Sequence, residues 1–343
     1  METVDHVLLF RFPLDVAGFA DTVRHRLAQE AGAAEWALSS STALLPGDRY
    51  LRLWELVEHE LQNPDVAILA AQAYTPGQLG LIDYLFLTAP TVAAGCAATG
   101  DYSHVATTNL SFDVVQESDD EVTADLRLLH GDGRGRELAI QVALCGTVTK
   151  IRHGARAAID PVRVWFRQPA PPRHAHLAEW FGTDRIEFGA ESDRITYRAT
   201  DLDAPLPTAD PMLADILTHT AGAAPAPRVT TVAERLHQEL ARMLPDGNVS
   251  VDRAARRLLT SRRSLQRWLA DEGTTWRAEL DRARRAYHDD LYPAVANRTE
   301  LARRLGYSDS RALDRAHRRW SATTPRPPRP VPPPIDTRNR ARS

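Results

Sequence analysis

Cysteine, lysine and long apolar runs are all scarce in this chain, and each scarcity excludes something. Only Cys96 and Cys145 occur among 343 residues, too few for a disulfide framework or a thiolate metal site, and two isolated thiols fit packing roles in a reducing compartment. No uncharged stretch is longer than Tyr84 to Gly100, which holds Pro90 and two glycines and falls short of the roughly 20 apolar residues that a membrane span needs. The opening METVDHVLLFRFPLD is acidic and its apolar run stops at Phe10, whereas a signal peptide opens on basic residues followed by an apolar run of about 7 to 15. A cytoplasmic protein with no membrane segment is therefore expected. Catalytic signatures are missing as well: there is no G-x-S-x-G elbow, P-loop or H-E-x-x-H. The run Gly131-Asp132-Gly133-Arg134-Gly135 lacks dinucleotide spacing and reads as a hairpin-type turn, while His174 and His176 form an H-x-H in a proline-rich loop, a weak metal signal. No catalytic residue, cofactor or metal is expected.

What is present is a division of charge. Residues 228–343 carry 25 arginines against 14 acidic residues, a net +11, while residues 1–227 carry 17 basic against 31 acidic residues, a net −14. Lys150 is the only lysine. Genome composition can favour arginine over lysine, but it does not sort charge by sign along a chain. A basic end on an acidic body points to a polyanion for one domain and a different partner for the other.

The segment Ala221 to Arg228, AGAAPAPR, has no apolar periodicity and reads as a linker between a first domain over 1–220 and a second over 229–329. Residues 330–343 continue a proline- and arginine-rich stretch that starts near Thr323 and reads as an extended or disordered tail. Helical patterning dominates from Asp15 to Thr99, with a break at Tyr74 to Gly77. Leu110, Phe112 and Val114 then alternate, as do Val122, Ala124, Leu126 and Leu128, which predicts a hairpin. Leu138, Val142, Cys145 and Val148 recur at helical spacing, and Val162 to Phe166, Ile186 to Phe188 and Ile195 to Tyr197 read as further strands. The first domain is thus expected to be α+β, helices packed on a small antiparallel sheet.

From Val229 the reading is all helical. Val232, Leu236, Leu240 and Leu244 stripe a first helix, closed by Pro245-Asp246-Gly247. Ser250 and Ser261 cap two short helices, Val251 to Leu258 and Arg262 to Asp271, the second closed by Gly273. Thr275 caps a long helix, Trp276 to Leu291, about 24 Å in length. Asn297 with Glu300 has capping-box spacing, Leu301, Ala302 and Leu305 stripe a short helix, Gly306 turns the chain, and Ser308 caps a last helix from Asp309 to Trp320. Two helix-turn-helix units on one rod can reach successive major grooves of double-stranded DNA. Each carries arginines on its second helix: Arg262, Arg263 and Arg267, then Arg311, Arg315, Arg318 and Arg319.

The stretch VDRAARRLLTSRRSLQRWLADEGTTW resembles the first helix-turn-helix of AraC/XylS transcription regulators, and ELARRLGYSDSRALDRAHRRWSATTP resembles the second. Leu259 stands where the family usually has Gly, Arg311 where it has Ser, Leu313 and His317 where it has Phe, Ala322 where it has Gly, and Pro327-Pro328 where an aromatic often follows. By this comparison Arg263, Gln266 and Arg267, and Ser310, Arg311, Asp314 and Arg315, match positions that face the groove. Arg pairs bidentately with guanine, Gln with adenine, and Asp can only accept, from cytosine for example. Contact with phosphate stands beside base reading for each arginine, whereas Leu265, Trp268, Leu269 and Trp320 read as core.

In the first domain, GQLGLIDYLFLTAPTVAAG, VRVWFRQPAP and FGTDRIEFGAESDRITYRATDLDAPLP resemble the arabinose-binding-like domain of one AraC branch. The resemblance implies a sequence-specific transcription regulator and activator that contacts RNA polymerase, senses a small-molecule effector through its first domain, and forms a homodimer. Tyr84, Tyr102 and His104 are polar-tipped candidates for lining an effector pocket, though a satisfied core position is the more usual role for each. A competing reading is a non-catalytic ligand-binding or adaptor protein whose second helix-turn-helix has decayed and whose basic domain binds DNA weakly.

Overall fold

The computed structural model describes residues 3–116, 118, 120–247, 249–291 and 298–323. The expected tail over 330–343, the capping position Asn297 and the Pro327-Pro328 departure lie outside them. The chain divides into two units, Met1–Thr230 and Thr231–Ser343.

The first unit opens on β1 (Val4–His6) and α1 (Val7–Val16), followed by α2 (Asp21–Glu30), α3 (Glu35–Leu38), β2 (Leu44–Pro46), α4 (Gly47–Leu61), α5 (Val66–Ala73), α6 (Leu81–Leu87) and α7 (Val92–Asp101). The hairpin is β3 (Leu110–Gln116) and β4 (Glu121–Leu128), then come α8 (Gly133–Ala155), β5 (Arg163–Phe166), α9 (Ala175–Phe181), β6 (Ile186–Phe188), β7 (Asp193–Arg198), α10 (Ala199–Leu202) and α11 (Pro211–Gly222). Ala221 is fully buried against Ile82 and Leu85, so Ala221 and Gly222 belong to this last helix rather than to the connecting segment.

The large sheet has the order β3-β4-β7-β5-β6. Leu110 faces Leu128 and Phe112 faces Leu126 across the hairpin, as the alternation requires. The expected wholly antiparallel sheet is corrected to a mixed one, because β5 and β6 pair in parallel; α9 carries the chain between them, a connection that periodicity in the strands themselves does not reveal. The glycine run does not close a hairpin. It joins β4 to α8, whose first turn begins at Gly133. A two-stranded antiparallel sheet of β1 and β2 also went unread, since three residues are too few to show alternation.

Helix α8 is the axis of this unit. Its Ile140, Leu144, Val148 and Ile151 pack between Leu126, Val164 and Ile195 of the sheet and Ile68, Phe86 and Val92 of α5 to α7. Phe86 fits because Gly95 of α7 and Gly154 of α8 flank its ring; a Cβ at either position would lie 2.7 or 2.6 Å from ring carbons. Asp5 of β1 is buried, accepts from Thr107 Oγ1 and leaves its other oxygen unpartnered. Burial pushes its carboxyl up to about 7, with the Thr107 hydrogen bond opposing and the Asp48 charge assisting.

The second unit runs α12 (Val232–Met243), α13 (Val251–Arg257), α14 (Arg262–Asp271), α15 (Trp276–Leu291), α16 (Arg298–Arg304) and α17 (Ser310–Thr323). Helix α12 packs on α13, α14 and α15 through buried Leu236, Leu240 and Met243. Its N-terminus is closed by a Thr231–Glu234 capping box, and Glu272 beyond α14 accepts from the Val232 and Ala233 amides at 2.7 and 2.9 Å. Glu239 on α12 is 3% exposed and meets Arg242 and Arg257 at 2.6 and 2.7 Å. Burial alone would raise its carboxyl, but the Arg257 hydrogen bond and the surrounding guanidinium charges hold it below the usual range.

The pairs α13–α14 and α16–α17 repeat one device. Leu259 donates to Arg256 O and Thr260 to Ala255 O; Gly306 donates to Arg303 O and Tyr307 to Ala302 O. Each is a Schellman ending with its second residue past the helix in the left-handed region, Leu259 at φ 51° and Gly306 at φ 70°. A side chain in that region costs roughly 1–2 kcal/mol, and Leu259 is 47% exposed, so its packing offsets little of this. Leu259→Gly is expected to raise stability by about 1 kcal/mol, read as a higher urea midpoint at unchanged slope; an unchanged midpoint would show that the strain is relieved elsewhere.

Asp5 generates a pH prediction. Its folded carboxyl binds a proton more tightly than the unfolded one, so its contribution to stability is full below about pH 4 and is lost as pH rises to about 7. Asp5→Asn should therefore raise stability by up to roughly 3–4 kcal/mol at pH 8 and change it little at pH 4. Equal effects at both pH values in thermal melts would contradict the burial argument.

Candidate nucleic-acid interface and ligand cavity

Helix α14 starts at a cap in which the Ser264 amide donates to Ser261 Oγ at 3.0 Å. Arg263, Gln266 and Arg267 follow at i, i+3 and i+4, which places them on one face. All three are exposed, while Leu265 and Leu269 are buried on the opposite side and Trp268 is only partly buried. None of the three side chains makes a hydrogen bond or ion pair among the described residues. Arg262 approaches Asp252 at 3.9 Å.

Helix α17 repeats the arrangement with its turn one residue longer. Its cap is Asp309, not the expected Ser308: the Ala312 amide donates to Asp309 Oδ1 at 2.7 Å, and this bond with that from Ser308 holds the carboxyl below its ordinary range. Arg311, Asp314 and Arg315 take the places of Arg263, Gln266 and Arg267. The two arginines are exposed, Ser310 and Asp314 are partly buried, and Leu313, Ala316 and Trp320 form the inner face. Asp314 makes no salt bridge to the adjacent Arg315 among the described residues. Asp314 pairs instead with Arg298 on α16 at 3.0 Å, because residues one apart on a helix point in different directions.

Helix α15 holds this second pair. Asp281 accepts from Trp320 Nε1 at 2.9 Å and from Arg319 at 3.3 Å, and Arg284 donates to Gly306 O at 2.9 Å while lying 4.4 Å over the Tyr307 ring. Such long-range contacts carry no motif of their own. The exposed faces can offer guanidinium forks to guanine edges or to phosphates.

In the first unit a cavity of about 260 Å³ lies between α8, the β3–β4 hairpin and residues of α1 and α5 to α7. Its wall is mainly aliphatic and aromatic. Lys150 enters it from α8, with Nζ 2.9 Å from Asp83 Oδ1. Asp83 is fully buried, and its Oδ2 accepts from the Gly77 and Leu79 amides at 3.0 and 2.9 Å. Burial, then the Asp83 charge and hydrogen bond, keep the Tyr74 phenol protonated far above its ordinary range. Burial pushes the Cys96 thiol up to about 11, against the opposing Lys150 charge.

The sequence candidates for this cavity do not line it. Tyr84 is 47% exposed; Tyr102 and His104, with ring centroids 6.2 Å apart, sit partly buried near the Ile82 and Ala221 cluster. Lys150 and Asp83 were missed, although a single lysine inside a helical run of apolar residues is a readable signal. Of the H-x-H pair, His174 packs edge-on against Phe188 and His176 meets Asp65 at 3.0 Å. No helix among the described residues is long and apolar enough to cross a membrane.

Comparison with known proteins gives a family match over residues 23–206, to the N-terminal arabinose-binding domain of AraC transcription regulators. The chain is 29% identical to the HTH-type transcriptional regulator VirS of Mycobacterium tuberculosis over 292 residues, 81% of this chain and 82% of that one. It is 32% identical to an ornithine utilization regulator of Pseudomonas aeruginosa over 171 residues, 49% of this chain and 50% of that one. The crystal structure of the transcriptional regulator CdpR from Pseudomonas aeruginosa aligns with a TM-score of 0.42 at 20% identity, covering 89% of this chain and 97% of that one. Matched over more than half its length, the chain belongs to the AraC family of transcription regulators that carry an arabinose-binding N-terminal domain.

Proposed function

We propose that this regulator reads a specific double-stranded DNA sequence through two helix-turn-helix units, α13–α14 and α16–α17, under control of a small-molecule effector held in the cavity of the first unit. The observation that supports this most directly is the repeat itself: two helix pairs with the same Schellman turn, the same side-chain cap and the spacing Arg-x-x-Gln-Arg or Arg-x-x-Asp-Arg on the exposed face of the second helix. In this reading α14 and α17 lie in successive major grooves. Arg262, Arg263, Gln266 and Arg267, with Ser310, Arg311, Asp314 and Arg315, make the base and phosphate contacts. Residues 1–222 form the effector and dimerisation domain, 223–228 the linker, 229–329 the DNA-binding domain and 330–343 the tail. The active species is a homodimer in the cytoplasm, and family resemblance supports an activating contact with RNA polymerase; catalysis has no part in it.

A second reading has one observation in its favour. Asp314 puts a carboxylate on the face that must approach DNA, and its 3.0 Å pair with Arg298 draws on a cation otherwise suited to phosphate. This favours weaker reading by the second unit, and at its limit an adaptor that binds DNA weakly.

Substitution separates the two. On a site selected from random DNA by the full chain, Arg267→Ala is expected to weaken binding by about 1–3 kcal/mol while binding to unrelated DNA changes little. Equal loss on both would reduce Arg267 to a phosphate contact. Arg315→Ala on the same site should cost a similar amount if the second unit reads bases; no change in specificity there supports the adaptor reading. Titrations at two salt concentrations should also show log K falling with log[salt] by about 0.9 per phosphate neutralised.

A further inference from the structure

With the first unit taken as the effector domain proposed above, the chemistry of its cavity limits what can enter. On α8 the residues Ala143, Gly146, Thr147 and Lys150 fall at i, i+3, i+4 and i+7, and all four line the space. Three of them are small, so the helix presents a shallow trough that ends at an ammonium group. Opposite lie apolar side chains such as Phe112, Val122 and Leu128.

Several neutral polar residues of the wall spend their hydrogens on the protein itself, and the Tyr197 hydroxyl, which has no partner among the described residues, is sealed from the space. Thr99 and Thr147 donate back along their helices to Gly95 and Ala143 at 2.9 and 2.8 Å. Thr107 donates to Asp5, and Asn109 exchanges hydrogen bonds with His130 at 3.1 and 2.9 Å. A sugar bears a hydroxyl on nearly every carbon, and each one buried without a partner carries the full desolvation penalty. A wall so committed does not satisfy a polyol.

Two charged groups remain in the wall, Asp5 and Lys150. Asp5 is 2% exposed with its free oxygen sealed. The Lys150 side chain is 14% exposed and ion-paired with Asp83, and an ammonium has three N–H donors, more than that one contact can use. The available polar contact is therefore a donor on a group whose charge is already balanced. A neutral acceptor can take that hydrogen, whereas a carboxylate would sit beside the Asp83 carboxylate at low dielectric, where like charges repel strongly.

We infer that the first unit binds a mainly hydrocarbon molecule with one uncharged hydrogen-bond acceptor, a ketone, ester or lactone carbonyl, seated on Lys150, and that it does not bind a free sugar.

The test uses the full chain, with thermal melts and isothermal titration against four probes: 2-nonanone, nonanoate, nonylamine and L-arabinose. The expected result is that 2-nonanone binds and raises Tm, that nonanoate and nonylamine bind about tenfold more weakly or worse, and that L-arabinose has no effect. Gly146→Leu is expected to fold and to lose 2-nonanone binding by about tenfold or more. A Cβ at Gly146 meets no atom within 4 Å, and leucine favours the helix over glycine. In Lys150→Met/Asp83→Asn, which removes both charges together so that neither is left buried alone, the preference for 2-nonanone over nonylamine should fall to within about threefold. Tighter binding of nonylamine would place the head at Asp5 and overturn the inference, as would binding of L-arabinose, equal binding of nonanoate, or no binding of 2-nonanone. Anisotropy with duplex DNA on the same preparations separates the failures: a chain that binds DNA but not the ketone leaves the regulator reading standing, and one that takes the ketone but never DNA defeats that reading instead.

Discussion

Lys150 and Asp83 form an ion pair inside the first unit, and much of that unit depends on it. Neither charge is tolerable alone in an apolar interior, and removing one partner of a buried pair typically costs about 3–5 kcal/mol. The pair fixes α8 against α6, and through Asp83 Oδ2 it also fixes the turn that leads into α6, by accepting from the Gly77 and Leu79 amides. Because α8 is anchored there and packed on the sheet and on α5 through its other faces, its remaining stripe of small residues stands clear. The cavity is what is left when a helix is held firmly on three sides and carries nothing large on the fourth.

The second unit is organised by repetition rather than by one pair. Its two short helix pairs have separate small cores, neither large enough to stand without the helix between them. Asp281 and Arg284 tie α15 to α17 and to the Gly306 turn, and Glu239 ties α12 to α13 with a carboxylate that three guanidinium groups keep ionised. These acidic residues have a structural use and an electrostatic one. They pair with Arg235, Arg242, Arg257 and Arg319, which leaves Arg263, Arg267, Arg311 and Arg315 as the exposed positive charge of the two equivalent helix faces. Any effect of a ligand on that face must arise from a difference in affinity between two states of the protein, and it acts equally in both directions.

Periodicity sufficed wherever a segment was long and regular. It located α8, α12, α14 and α15 and the two strands of the β3–β4 hairpin, since the helical and strand repeats follow from side-chain type alone, whereas the resemblance to AraC/XylS regulators singled out Arg263, Gln266 and Arg267. Short elements escaped it. The strands β1 and β2 are held by contacts from distant parts of the chain, the His6 amide to Ala106 and the Thr108 amide to Val4, and no local pattern announces such partners.

The sequence by itself therefore determined the order of the long elements, the division of charge and the residues offered on the two outer helix faces, because those follow from side-chain type and helical repeat. Tertiary structure decided which polar residues meet. It turned Asp314 to Arg298 instead of Arg315, gave the cap of α17 to Asp309, left Tyr84 on the surface, and brought the single lysine to Asp83 at the edge of a cavity. Each of these depends on how elements far apart in the chain approach one another, and that is settled by the packing of whole faces rather than by the neighbours of any one residue.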